Sequence, residues 1–305
     1  MFEFNLEDNL LELRQQLREK VYRHGSYQSF YVCDPKLRHI HKATVRDRVV
    51  HQAVFRVLYH VFDPSFIHDS YSCRVGKGTH AGVRRLAGFA RRASKNNART
   101  AYALKCDIRK FFDSIDHDVL SEMIKSKIKD EDTLWLVETI VNSFEKIEGK
   151  GLPLGNVTSQ LFSNIYLNEL DQFVKHALKA KYYLRYCDDF IIMGDNKEYL
   201  ENAIDKLRSF LVNSLRLCLH EGKIEIRKHR QGIDFLGYVV FHYHAVLRTK
   251  TERRMLRIIR QKKMTQPQGE ASNSTFYAML NSYAGMLKHC HGHTIWQGIV
   301  NLVIP

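Results

Sequence analysis

No apolar run of about 18 residues occurs in this sequence, the length a helix needs to cross a bilayer. Its start, MFEFNLEDNLLELRQQLREK, is acidic and then amphipathic. The reading is therefore a chain without a membrane-spanning helix or a secretory signal. The six cysteines (Cys33, Cys73, Cys106, Cys187, Cys218, Cys290) are scattered and no two have C-x-x-C spacing. That pattern argues against a disulfide framework and for reduced thiols in the cytoplasm. No internal repeat period is visible either. Of the 305 residues 44% are hydrophobic and 26% charged, proportions that exclude global disorder and leave room for two or three packed lobes.

What the chain has in excess is positive charge: Lys+Arg 47 against Asp+Glu 33, a net +14, with pI near 9.5. Such an excess raises the local concentration of polyanions without informing on fold. It is densest in two stretches. Residues 78–99 read as a helix carrying Arg84, Arg85, Arg91, Arg92, Lys95 and Arg99 with no acid among them, a face suited to phosphates. The second stretch, Arg248–Lys263, precedes a polar linker (Thr265–Ser274) and a final helical segment.

Periodicity places the other elements. An amphipathic helix is expected over 5–24 with Leu6, Leu10, Leu13, Leu17 and Val21 on one stripe. A second spans Thr44 to Phe62, its stripe formed by Val45, Val49, Val50, Ala53, Val54, Val57, Leu58 and Val61, and Asp63-Pro64 stops it. From Ala101 the texture changes to strands alternating with helices. Ala101–Cys106 is strand-like; helices follow over Asp116–Lys129, Asp132–Phe144 and Thr158–Lys179. Lys181–Tyr186 and Phe190–Met193 are apolar strands, Lys197–Asn213 a helix, and Lys223–Lys228 and Phe235–Tyr243 further strands. The alternation predicts a mixed α and β core with helices on one side.

Two of these strand-like segments end in carboxylates. Tyr186-Cys187-Asp188-Asp189 lies between two apolar strands, and another apolar segment runs into Asp107, 188 − 107 = 81 positions earlier. Aspartates alone are ordinary turn formers. Three of them at neighbouring strand ends, however, repel one another and call for hard divalent cations with oxygen ligands. Two such ions about 3.5–4 Å apart suit in-line phosphoryl transfer. In a basic protein this points to nucleotidyl transfer.

Tyr-Cys-Asp-Asp, the upstream Asp107-Ile-Arg-Lys-Phe-Phe-Asp, a Gly-x-x-x-Ser block at Gly155–Ser159 and Phe235-Leu-Gly, in this order, resemble the palm motifs of reverse transcriptases over about Tyr71 to Tyr238. The resemblance implies an α+β right-hand polymerase: fingers over 1–100 with 145–160 contributing, an antiparallel-sheet palm over 101–247 and a helical thumb over 248–305. It implies Asp107 and Asp188 as the main ligands of two Mg2+ ions, with Mn2+ a substitute, Asp189 supporting, and the Ile108 carbonyl completing the cage. Phe112 corresponds to the gate against a ribose 2′-hydroxyl, core packing being its ordinary alternative. Arg74 and Lys77, in Tyr71-Ser-Cys-Arg-Val-Gly-Lys-Gly, resemble the segment gripping the dNTP triphosphate; its Gly-Lys-Gly is not a Walker A loop. Lys223 matches a proton donor to pyrophosphate, or else is a surface lysine. Phe235, Leu236 and Gly237 resemble the primer grip, and Arg248–Lys263 suits the backbone of an RNA–DNA hybrid.

One block narrows the resemblance. Leu154-Gly155-Asn156-Val157-Thr158-Ser159-Gln160 stands where many bacterial reverse transcriptases have Q-G-x-x-x-S-P. The aliphatic in place of Gln and Gln160 in place of Pro resemble the diversity-generating retroelement enzymes. That subfamily copies a template-repeat RNA with errors at adenines and works with a small basic pentameric accessory protein. The end at Pro305, without room for maturase and endonuclease extensions, favours the same reading over a group II intron one. Retron and phage-defence enzymes, or a catalytically idle RNA-binding protein, are the alternatives. His289, Cys290, His291 and His293 lack a second ligand pair, and helix packing is the preferred reading over a metal cluster.

Overall fold

The computed structural model describes residues 2–34, 36–264 and 270–303. In chain order the elements are α1 (Leu6–Arg18), the hairpin β1 (Gln28–Val32) and β2 (Arg38–Lys42), α2 (Val45–Phe62), α3 (Thr79–Ala93), β3 (Tyr102–Asp107), α4 (Phe111–Ser114), α5 (His117–Lys127), α6 (Glu131–Val141), α7 (Val157–Gln172), β4 (Tyr182–Tyr186), β5 (Asp189–Gly194), α8 (Lys197–Leu215), β6 (Glu225–Lys228), β7 (Ile233–Phe235), β8 (Tyr238–Val240), β9 (Ala245–Leu247), α9 (Thr249–Met264), α10 (Glu270–Leu287) and α11 (His293–Val303). Side-chain caps set four of the helix starts among the described residues: Thr44, Asp116, Asp130 and Asn196 each accept the backbone N–H three residues on.

The centre is a four-stranded antiparallel sheet in the order β4-β5-β3-β6. Both of its faces are covered, which is why β4 and β5 read as largely apolar runs, while the edge strand β6 is polar and alternating. Leu104, Cys106, Tyr183, Phe190 and Ile192 join a core built with α2, α5, α6, α7 and α8. Ala103, Leu184, Ile191 and Met193 belong to a second core with α3, the three-stranded sheet β7-β8-β9 and residues of α9 to α11. Helices therefore flank the sheet on both sides, not on one. Strand alternation puts Lys105, Asp107 and Asp189 on the same face as Ala103 and Ile191.

Several expectations change. The helix expected over 5–24 stops at Arg18, because the backbone at Lys20 turns left-handed (φ 56°); of its stripe Leu13 is buried while Leu6 and Leu10 are exposed. On α2 the buried line is Val50, Val54, Leu58 and Phe62, with the polar Asp47 and His51 inside as well; Val49, Val57 and Val61 face out. A β-branched-rich helix looked more apolar all round than its one packed line requires. The helix expected over 78–99 ends at Ala93, where Lys95, Asn96 and Asn97 all take positive φ. The α7 helix passes into a π-helical turn at Phe173–Ala177, and the strand expected over Phe235–Tyr243 is a hairpin, β7 and β8, turned by Leu236 and Gly237. The hairpin β1–β2 was not foreseen. The linker expected over Thr265–Ser274 falls partly outside the described residues, and α10 already begins at Glu270.

Candidate active site

In the register of β4 and β5, Tyr186 pairs with Asp189, leaving Cys187 and Asp188 as a two-residue corner. Asp189 also pairs with Asp107 at the end of β3, and the Ile108 N–H donates to the Asp188 carbonyl at 3.3 Å. The three carboxylates, 81 or 82 positions apart in sequence, thus share one end of the sheet. The next segment is fixed by main chain as well: Arg109 N–H donates to the Cys218 carbonyl at 2.9 Å and His220 N–H to the Asp107 carbonyl at 2.8 Å. That pairing delivers Lys223, whose Nζ lies 2.8 Å from Asp107 Oδ1.

Electrostatics at this corner is dominated by desolvation. Burial raises the Asp188 carboxyl above the usual carboxylate range, and the negative charge of Asp107 raises it further. Burial likewise pushes Asp189 up to about 6; Lys105 opposes the shift, and Asp107 and Asp188 add to it. Lys105 Nζ is 3.5 Å from Asp189 Oδ2 and also donates to the Asp234 carbonyl at 2.8 Å. Asp189 Oδ1 is buried with no hydrogen-bond partner. Among the described residues no three His, Cys, Asp or Glu side chains close into a finished metal cage; two lysines partly neutralise the carboxylates instead. The donor set is nonetheless all oxygen, crowded with negative charge and left with an unpaired buried lone pair. The chemistry of these donors suits hard divalent cations, which Asp107, Asp188, Asp189 and the Ile108 carbonyl would hold.

Around this end of the sheet the other sequence candidates are distributed unevenly. Phe112, partly buried in α4, packs on the first core, and its carbonyl accepts from Leu152 N–H at 2.8 Å. Leu154 follows in the same loop, its carbonyl taking the His41 N–H at 2.8 Å. Asn156 fastens the loop to β2 through His41 and Ala43. Gly155, at φ +114°, is required there: a Cβ would sit 2.8 Å from the Ile40 side chain. Gln160 is exposed on the first turns of α7.

Phe235 is fully buried, while Leu236 and Gly237 both take positive φ as the β7–β8 turn, the two-residue geometry that suits a tight hairpin. Arg74 and Lys77 make their hydrogen bonds to nearby loop groups. Arg74 donates to Asp63 Oδ1 at 2.6 Å and to the Ile67 carbonyl at 2.7 Å, and Lys77 donates to the His68 carbonyl at 2.8 Å and covers the Tyr71 ring. On α3, Arg85 is paired with Asp69, an acid supplied by a preceding loop. Arg84 and Arg92 line a cleft of about 390 Å3 with Lys77. His289 stacks on His80, and the His291 N–H donates to the Ala245 carbonyl at 2.8 Å, both packing contacts.

Sequence reasoning missed Lys105 and the buried Arg185. For Lys105 the signal existed, since two residues before Asp107 on a strand is the same face. For Arg185 it did not, because its partners come from distant segments.

Residues 33–240 match the family described as reverse transcriptase (RNA-dependent DNA polymerase), well over half of the chain. The chain belongs to the reverse transcriptase family. Among proteins similar to this reverse transcriptase, Protein YkfC of Escherichia coli is 24% identical over 313 residues, covering 90% of this chain and 79% of its own. Group II intron-encoded protein LtrA of Lactococcus lactis is 25% identical, covering 76% of this chain and 49% of LtrA. Solved telomerase structures share the fold: apo telomerase from Candida tropicalis superposes with a TM-score of 0.56 at 14% identity, over 79% of this chain and 60% of that one. Telomerase from Candida albicans, in complex with a fragment of telomeric RNA, gives 0.57 at 10% identity, over 93% and 58%. The reverse transcriptase thus has the right-hand polymerase fold in its α+β form, and spans about half of LtrA and less than two thirds of those telomerase chains. No helix among the described residues is long and apolar enough to cross a membrane.

Proposed function

We propose that this chain copies RNA into DNA in the cytoplasm, adding dNTPs to a primer on an RNA template with Mg2+, or Mn2+ in its place, at Asp107, Asp188 and Asp189. The observation that carries it is the pairing of Asp107 with Asp189 beside an Asp188 whose carboxyl is raised by burial and by Asp107. Bound there, two ions would activate the primer hydroxyl and offset the charge of the departing pyrophosphate. The protein's own groups do the rest. Lys223, paired with Asp107 in this state, becomes free to protonate pyrophosphate once that carboxylate is otherwise neutralised. Phe112 blocks a ribose 2′-hydroxyl, and the Leu236–Gly237 turn presses on the primer end next to the buried Phe235. Arg74 and Lys77 serve triphosphate binding by shaping the loop they brace, with Lys77 lining the basic cleft. In this reading residues 1–100 with 145–160 are fingers, 101–247 palm and 248–305 thumb, whose basic α9 tracks the hybrid.

The finer reading is a diversity-generating retroelement enzyme working with a small basic pentameric partner. Its support is the loop Leu154-Gly155 and Gln160, where an aliphatic and a flexible polar side chain replace Gln and Pro beside the nascent pair. A group II intron-type enzyme is the second reading, favoured by the similarity to LtrA along 307 aligned residues. Sequencing the cDNA made on a defined RNA template decides. Magnesium-dependent extension that vanishes in Asp188→Asn supports the polymerase; RNA binding without extension, with or without the accessory protein, would leave a binding protein. Errors concentrated at template adenines, reduced by Leu154→Gln, support the retroelement reading, and a flat error spectrum supports the intron-type one.

A further inference from the structure

The corner that presents Asp188 and Asp189 depends on an awkward residue. Cys187 has φ 55°, a left-handed conformation disfavoured for any residue with a Cβ, so something outside the corner must hold it. The Cys187 carbonyl accepts Arg185 Nη1 at 3.1 Å. The Arg185 side chain is completely buried, and its five N–H groups all find acceptors. Nε and Nη2 take the two oxygens of Asp171 at 2.8 and 2.7 Å. Nη2 also reaches Ser70 Oγ at 3.2 Å, and Nη1 reaches Asn164 Oδ1 at 3.2 Å besides the Cys187 carbonyl.

The partners are themselves tied. Tyr183 donates its hydroxyl to Asp171 at 2.6 Å, and Asn164 donates its amide to the Ser72 carbonyl at 2.9 Å. Arg185 also exchanges main-chain hydrogen bonds with Asp69 and Tyr71 at 3.0 and 2.9 Å. One guanidinium therefore joins α7, the 69–72 segment and the Cys187 corner.

A buried ion pair is weak evidence for stability, because apolar side chains of similar volume often serve as well. The planar fork is the feature that apolar residues and lysine lack, and one prong of it is aimed at the corner. We infer that Arg185 is a positioning residue: it fixes the Cys187 carbonyl, and through it the aim of the Asp188 and Asp189 carboxylates, and couples the corner to the 69–72 segment. It touches neither substrate nor metal. The inference rests on the polymerase reading for its activity readout alone, since metal binding is measured without nucleic acid.

The test is Arg185→Lys, which keeps the charge opposite Asp171 but cannot serve Asp171, Asn164 and Cys187 together. Binding of Mn2+ to the protein alone is followed by the electron spin resonance of the free ion, with Asp188→Asn as the reference for a lost site. The expected result is a folded protein whose Mn2+ affinity falls about tenfold or more. Its extension rate should be restored by raised Mg2+, with primer–template affinity unchanged. A folded Arg185→Lys protein with wild-type Mn2+ affinity would overturn the inference, as would failure of the unmodified protein to bind Mn2+. If Arg185→Lys does not fold, the unmodified protein labelled with 15N-arginine decides: added Mg2+ should shift the slow-exchanging Arg185 guanidinium signals, and no shift overturns it. Mn2+ binding lost in Asp188→Asn, with no primer extension by the unmodified protein, would sink the polymerase reading and leave this one standing.

Discussion

Two groups of charges flank the Cys187 corner of the central sheet, and they are treated in opposite ways. Arg185 and Asp171 are wholly removed from water, and every N–H of the guanidinium has an acceptor. Asp107, Asp188 and Asp189 are kept partly open, with a buried oxygen unpaired and single lysines as counter-charges. The first arrangement holds a shape and the second leaves capacity to bind. Full satisfaction marks the structural charges and incomplete satisfaction the chemical ones.

The contrast breaks most visibly at Asp188. Asp188→Asn is expected to lower primer extension by about a thousandfold or more, measured on a defined RNA template. The fold should not suffer. Burial and the charge of Asp107 already disfavour the ionised carboxylate, so a neutral amide relieves repulsion and the melting temperature should hold or rise at neutral pH. A large loss of stability would mean that the open charges hold the shape after all.

At Asp171 the ranking inverts. Asp171→Ala strands the Arg185 guanidinium among α7, β4 and the 69–72 segment, and urea unfolding should show a loss of about 3–5 kcal/mol. A loss below about 1 kcal/mol would show that water reaches this site and that the pair is not structural.

How far all this was legible in the sequence follows from the range of the contacts involved. Asp107 and the Cys187-Asp188-Asp189 corner stand out because each ends an apolar strand, a local pattern that survives without neighbours. Lys105 was readable from the period of a strand but was passed over. Arg185 was not readable, since Asp171, Asn164 and Ser70 approach it from 14, 21 and 115 positions away. The hairpin β1–β2 was hidden for another reason: its strands, QSFYV and RHIHK, are mostly exposed and show no clean alternation. On α2 the valines spread around the helix, and only packing against α7 shows that the buried line runs through Val50, Val54 and Leu58. The roles of Phe112, Leu154 and Gln160 came from resemblance, and the contacts around them describe a loop bound to β2.

A buried group that stays neutral supplies an intermediate case. His51 lies on the inner side of α2, its Nδ1 2.6 Å from Thr158 Oγ1 on α7 and its Nε2 2.9 Å from His24 Nε2. Burial, together with His24 and against the attraction of Asp47, lowers it to about 4. Burial and His242 lower His229 to about 4 as well. A folded value below the unfolded 6.5 means that the unfolded chain binds the proton more readily. The stability these histidines contribute is complete above about pH 6.5 and is lost as pH falls toward 4. Unfolding followed from pH 7 to 5 should show a decline of about 1–3 kcal/mol, and His51→Asn should flatten part of it. An unchanged slope in that variant would mean that His51 titrates as though it were in water.

The smallest effect belongs to charges that are neither buried nor at the corner. Arg208 pairs with Glu221 at 2.7 Å and with Asp205 at 3.1 Å in full view of solvent, where pairing competes with water and side-chain freedom. Arg208→Ala should move the melting temperature by less than about 2 °C, and high salt should erase the difference. Glu221 also opens the short turn that ends at Lys223. Lys223 is delivered to Asp107 by the main-chain bonds at Arg109 and His220, not by the surface pair, so extension by Arg208→Ala should stay within about twofold of the unmodified protein. A larger loss would place this exposed pair among the groups that aim Lys223, and the division between satisfied structural charges and open chemical ones would no longer hold at the edge of the sheet.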